Sequence, residues 1–217
     1  MHFEIIVEDQ SGKQALDILV PKIVGSEHTY RIIPYKGIGH TPKNLKPKTD
    51  ANKRILLDQL PRLLRGFGKS LKEYQSAVIV VCDLDKRCLK AFREELYAVL
   101  NACNPKPETR FCIAVEEWEA WFLGDIPAIK SAYPKAKDKV LESYKNDSIC
   151  GTWQVLADAV FPGGSNVLSG NGWQAIGSEK HKWSENITPH MDVNNNKSHS
   201  FIYFREKLTD LLRIEKE

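Results

Sequence analysis

The chain has 217 residues, 42% hydrophobic and 27% charged, an ordinary mixture for a globular protein. That excludes a wholly disordered chain, a collagen-like repeat and a coiled coil, and the length suits one domain or one domain with an annex. The formal charge of +3 is unevenly spread: residues 31–72 hold 11 basic and 2 acidic residues, so this segment carries +9 and the rest of the chain −6. A basic stretch of this kind suits a polyanion, with a solvated basic face as the plain alternative. Residues 3–8, FEIIVE, read as a buried strand ending in an acid. Ser11 to Gln14 has the S-x-x-Q form of a capping box, and Leu16, Leu19, Val20 and Ile23 continue at helical spacing. Residues 29–34, TYRIIP, form a second strand, followed by a Gly/Pro/Lys loop that ends at Asp50, a plausible helix cap. A helix is expected over 51–69, kinked or divided by Pro61.

Residues 76–82, SAVIVVC, are the clearest strand, apolar and β-branched throughout, as in the middle of a parallel sheet. Asp83-Leu84-Asp85 ends it, and Leu89, Phe92, Leu96 and Leu100 mark an amphipathic helix. Residues 110–115 form a further strand, and Glu116-Glu117-Trp118-Glu119 opens the next helix. Strands alternating with helices predict an α/β fold, an open and mostly parallel sheet flanked by helices. Beyond residue 125 come helical patterns at 126–132, 135–145 and 149–160, a Gly/Ser/Asn-rich loop (PGGSNVLSGNGW), a second polar loop and a last helix lined by Phe201, Phe204, Leu208 and Leu211. The expected organisation is an α/β domain at 1–125 and a helical annex at 126–217 packed on the same core.

Acids cluster at the carboxyl ends of three expected strands: Glu8 and Asp9, Asp83 and Asp85, and Glu116, Glu117 and Glu119. Ligands bind at that edge of an open α/β sheet, and strands about 4.8 Å apart allow neighbouring ends to share one ion. Crowded carboxylates raise one another's pKa, a problem that a divalent cation removes; oxygen ligands favour Mg²⁺ or Mn²⁺ over zinc. Singly, each acid has an ordinary reading. Asp85 would cap a helix, Glu116 or Glu117 would complement a helix dipole, and Glu4 would face solvent.

Other chemistries find little footing. There is no GxxxxGK[ST] phosphate loop and no GxSxG elbow, and Lys36-Gly37-Ile38-Gly39-His40 lacks the third glycine of a dinucleotide motif. The six histidines form no HxxxH pair, although His190, Asp192 and Lys197 share one polar loop. Trp118 and Trp121 read as core; Trp153, Trp173 and Trp183 read as packing or as platforms for bases. The five cysteines, Cys82, Cys88, Cys103, Cys112 and Cys150, show no CxxC spacing, so neither a zinc framework nor a disulfide scaffold is expected, and Cys82 and Cys112 read as buried. No apolar run nears the ~20 residues of a membrane span. The opening MHFEIIVEDQ lacks the basic head of a secretory leader. A cytoplasmic protein with no membrane association is expected.

The combination of IIVEDQSGK with VIVVCDLDKR resembles the Toprim fold of topoisomerases, primases and the overcoming-lysogenization-defect nucleases. With LPRLLRGF, AVEEWEAWFLGD and PHMDVNNNKSHSFIYFREKL, nearly the whole chain resembles a family of small stand-alone bacterial Toprim-like proteins catalogued as a domain of unknown function. Its members often neighbour an ABC-type or SMC-like ATPase in presumed phage-defence loci. The resemblance implies that Glu8 is a metal ligand or general acid-base, that Asp83 and Asp85 are metal ligands, and that Glu116 and Glu119 are extra acids. Asp9 stands where many Toprim proteins have glycine.

The expectation is therefore a nuclease dependent on Mg²⁺ or Mn²⁺ that cleaves DNA or RNA. Glu8, Asp83, Asp85, Glu116 and Glu119 would hold metal, and Lys13 would contact the scissile phosphate. Lys36, Lys43, Lys46, Lys48, Lys53, Arg54, Arg62, Arg65, Lys86 and Arg87 would hold nucleic acid. An ATPase partner, and possible self-association, complete the picture. Two alternatives remain open: a non-catalytic Toprim-like shell that regulates an ATPase, and a DxD nucleotide-sugar transferase.

Overall fold

The computed structural model describes residues 1–213. Strands β1 (His2–Val7), β2 (Thr29–Pro34), β3 (Ser76–Asp83) and β4 (Thr109–Ala114) form one sheet in the order β2-β1-β3-β4, and every neighbouring pair is parallel. Parallel neighbours cannot be joined by a tight turn. Helices α1 (Gln10–Val24), α2 (Leu56–Ser70) and α3 (Leu89–Asn101) supply the crossovers.

The period-two alternation of the strands sorts the core into two layers. Phe3, Ile5, Val7, Ala77, Ile79, Val81, Cys112 and Ala114 pack with α1 and the C-terminal helices. Ile6, Val78, Val80, Cys82, Phe111 and Ile113 pack with α2 and α3. Cys82 and Cys112 are buried, as expected. The C-terminal half consists of α4 (Glu119–Leu123), α5 (Ile126–Ala132), α6 (Asp138–Ser143), α7 (Thr152–Val160), α8 (Gly164–Gly170), α9 (Trp173–Ile187) and α10 (His199–Arg213). Trp121 lies 5.0 Å from the Phe204 ring and 5.3 Å from that of Phe201. One apolar cluster thus runs from Phe3 on the sheet to Leu211 on α10. Residues 214–217 of the expected annex lie outside the described residues. No described helix is long and apolar enough to cross a membrane.

Several local expectations change. Ser11 does not cap α1; Asp9 does, accepting from Gly12 N at 2.7 Å. Asp50 caps only a 3₁₀ turn at Ala51–Lys53, and α2 starts at Leu56 with Pro61 inside it. The Gly/Ser/Asn-rich loop contains α8 and ends at the first residue of α9. The α8 helix has poor propensity but gains an outside cap, Ser165 N donating to Asp158 Oδ1 at 2.6 Å. Glu4 is not solvent-exposed: it is buried and accepts two bonds from Arg31, at 2.9 and 2.8 Å. Trp118, Trp121, Trp153 and Trp183 are core, whereas Trp173 is 84% exposed.

Candidate functional site

β1 stands between β2 and β3, with α1 on one face of the sheet and α2 and α3 on the other. Where successive crossovers leave a parallel sheet on opposite faces, a crevice opens at the carboxyl ends of the strands. Glu8 follows β1 directly and Asp83 ends β3, so both stand at the β1/β3 crevice. Asp83 N donates to Glu8 Oε2 at 3.2 Å. Burial pushes the Glu8 carboxyl up to about 7, with Asp85 and Asp9 adding to the rise against the Asp83 amide. Burial and then the Glu8 charge push Asp83 well above the usual carboxylate range. Asp83 Oδ1 is buried and accepts no hydrogen bond among the described residues. A buried acceptor left unpaired costs about 1–3 kcal/mol.

Asp85 adopts a left-handed backbone (φ 52°) in the turn after β3 and pairs with Arg87 at 3.0 Å. Arg87 also donates to Gly39 O at 3.1 Å and lies 4.9 Å over the Phe92 ring. Gly37 N donates to Glu8 O at 3.0 Å. The basic loop between β2 and α2 is thereby fastened directly beside the acids. At Gly39 (φ +64°) a Cβ would stand 2.1 Å from Ile55 Cγ2, so the loop's close return requires glycine.

The face of the crevice toward α1 and α9 is different. Glu119 is buried, and Lys180 on α9 reaches Glu117 at 3.1 Å and Glu119 at 3.3 Å. Burial opposes the charge of Lys180, but Glu119, Glu117 and Asp83 more than offset this and raise its pKa. Burial and the Glu119 charge push Glu117 up to about 7 in spite of Lys180. Burial likewise raises Asp9, partly countered by its bond from Gly12. A void of about 20 Å³ lies between Asp9, Asp83, Trp118, Glu119 and Lys180.

Other expected site residues are placed elsewhere. Glu116 does not join the acids. Its Oε2 accepts from Gly151 N and Thr152 N at 3.0 Å, from Thr152 Oγ1 at 2.6 Å and from Cys150 N at 3.3 Å, holding the start of α7. Lys13 pairs with Asp17 one turn along α1, at 2.5 Å. Arg54 donates to Pro34 O and Arg65 to Leu45 O, so both brace the loop. Lys36, Lys43, Lys46, Lys48, Lys53, Arg62 and Lys86 are exposed. His190, Asp192 and Lys197 line a separate cleft of about 500 Å³ beside α5 and α6 that shares no lining residue with the acidic void. There Asp192 accepts from Asn194 N and Asn195 Nδ2. The sequence carried no signal for Lys180, which lies 63 residues from Glu117 and outside every motif.

Comparison with known proteins gives one result. No curated protein and no solved structure matches the chain. The family model described as a domain of unknown function (DUF4276) matches residues 7–209. With nearly the whole chain matched, from the end of β1 through most of α10, the protein belongs to the DUF4276 family.

Proposed function

We propose that the protein is a Toprim-like nuclease that cleaves phosphodiester bonds in DNA or RNA with Mg²⁺ or Mn²⁺ held at Glu8 and Asp83. The observation that carries this reading is the unpaired, buried Asp83 Oδ1 beside the Glu8 carboxyl. Two crowded carboxyls with an idle acceptor fit a small divalent cation. Among the described residues no three His, Cys, Asp or Glu side chains converge to hold a metal unaided. Mg²⁺ characteristically uses one or two carboxylates and completes its shell with water and phosphate oxygens, which suits the Glu8–Asp83 pair. When bound, the ion would supply charge stabilisation and an activated water.

The chain's own residues prepare the rest. Asp85, at the rim, is oriented by Arg87, and the Arg87–Gly39 bond couples that turn to the basic loop. Exposed Lys36, Lys43, Lys46, Lys48 and Lys53 on that loop would hold the sugar-phosphate backbone across the crevice, joined by exposed Arg62 on α2 and Lys86 next to Asp85. This contact is electrostatic and independent of base identity.

A second reading, a non-catalytic shell regulating an ATPase, draws on Lys180, which already neutralises part of the acid cluster. Thermal unfolding with Mn²⁺ or Mg²⁺, wild type beside Asp83→Ala, separates the two. At 100 times its dissociation constant a ligand stabilises by about 2.7 kcal/mol. A rise in the wild type that the variant lacks supports the nuclease reading; equal curves with and without metal favour the shell.

A further inference from the structure

The geometry points to Lys180 as a resident cation that takes the place of a second metal ion, leaving the acidic edge room for one divalent ion at Glu8 and Asp83. This rests on the metal reading above and deepens it. Two-metal phosphodiesterases hold their ions about 3.5–4 Å apart in a shared cradle of carboxylates. Here the carboxylates that would build the second half of the cradle, Glu117 and Glu119, are already paired with one ammonium, at 3.1 and 3.3 Å. Lys180 also borders the void that touches Asp83. That void, at about 20 Å³, takes a single small occupant.

Two of its lining residues each carry a buried polar atom without a partner among the described residues, Asp83 Oδ1 and Trp118 Nε1, and Trp118 itself is only 6% exposed. The ammonium is not a loose surface charge. It projects from α9, whose Trp183 and Ile187 are fully buried, and Ser184 Oγ on the same helix donates to Ser11 O at the start of α1, at 2.8 Å. The annex thus delivers a fixed positive charge to the sheet edge, and a second divalent ion would meet it head-on. Glu119, by the same geometry, serves Lys180 and not the metal.

The test counts ions. Metal-stripped protein is titrated with Mn²⁺, free ion being read by electron paramagnetic resonance, for wild type, Lys180→Gln, Lys180→Arg and Glu119→Gln. The expected result is one Mn²⁺ per chain in the wild type and in Lys180→Arg, two in Lys180→Gln, and Mn²⁺ affinity in Glu119→Gln within about threefold of wild type. Two ions in the wild type, or one in a folded Lys180→Gln, overturns the inference while leaving the metal reading intact. If Lys180→Gln does not fold, Glu119→Gln decides: a loss of affinity beyond about tenfold would make Glu119 a metal ligand. No ion in the wild type overturns the metal reading itself, and the inference falls with it.

Discussion

Gly12 shows how tightly the site is built. A Cβ there would lie 2.7 Å from Val7 Cγ2 and 2.9 Å from Trp118 Nε1. The first turn of α1 can approach the strand end and the tryptophan only because the side chain is absent. Overpacking of this kind costs about 1–3 kcal/mol, so Gly12→Ala is expected to lower the urea midpoint by a corresponding amount. An unchanged midpoint would show that Trp118 moves aside freely. Asp58 is the opposite case, a buried carboxylate fully supplied with partners. It accepts from Lys48 N and Thr49 N at 2.9 Å and from Thr49 Oγ1 at 2.6 Å, which fixes the base of the lysine-rich loop. Burial works against its ionisation, but these bonds, with Gln59, outweigh it and hold the pKa below the ordinary 3.8. A carboxyl whose pKa is depressed by folding contributes stability above its unfolded value, and that contribution disappears as the pH falls through the folded value. Wild type should therefore melt above Asp58→Asn at pH 6, with the gap closing below about pH 4. A gap independent of pH would exclude the carboxylate as its source.

Helix ends in this chain are repeatedly closed by acids from elsewhere in the sequence. Glu116 closes α7, and Asp147 closes α10 by accepting from Ser198 Oγ at 2.8 Å, from Ser200 Oγ at 2.7 Å and from the His199 backbone N–H. These contacts explain why acids in the motif AVEEWEAWFLGD divide into different occupations. Glu116 serves α7 and Glu119 serves Lys180, whereas Asp125 caps α5 through Ala128 N at 3.1 Å and holds Asp192 N at 2.7 Å. Removing a helix cap costs about 0.5–2 kcal/mol. Glu116→Ala should lower stability by that order and leave the Mn²⁺-induced rise in melting temperature unchanged. If the variant abolished the rise, Glu116 would belong with the metal ligands and the assignment to α7 alone would be wrong.

At the level of the molecule, the apolar cluster that joins β1, β3 and β4 to α1 and α10 predicts cooperative unfolding. Leu208, fully buried on α10, packs in that cluster. Leu208→Ala should cost about 2–5 kcal/mol, and near-ultraviolet and far-ultraviolet dichroism should shift together. Two separated transitions would mean that the annex melts by itself. The charge asymmetry also acts at this scale. If the +9 segment holds the nucleic-acid backbone, a triple alanine replacement of Lys43, Lys46 and Lys48 should reduce the slope of log affinity against log salt by roughly 2–3 for duplex DNA. A slope equal to that of the wild type would take those lysines off the interface.

Strand alternation, the unbroken SAVIVVC run and the spacing of Phe92, Leu96 and Leu100 were enough to specify a parallel α/β sheet, because they are short-range patterns that any burial must obey. They also placed Glu8 and Asp83 at one sheet edge, since each directly ends an apolar strand. What folding alone assigned were the pairings. Whether an acid meets a metal, an amide row or a lysine depends on residues far away in the chain. Glu116 acquired the α7 amides 34 to 36 residues on, and Glu117 acquired Lys180 63 residues on. The α8 helix, likewise, formed in a stretch rich in glycine and serine because Asp158 and the packing of Leu168 supplied what its own propensity lacks. Local pattern sets the elements and the edge. Long-range packing sets which charge on that edge remains available for chemistry.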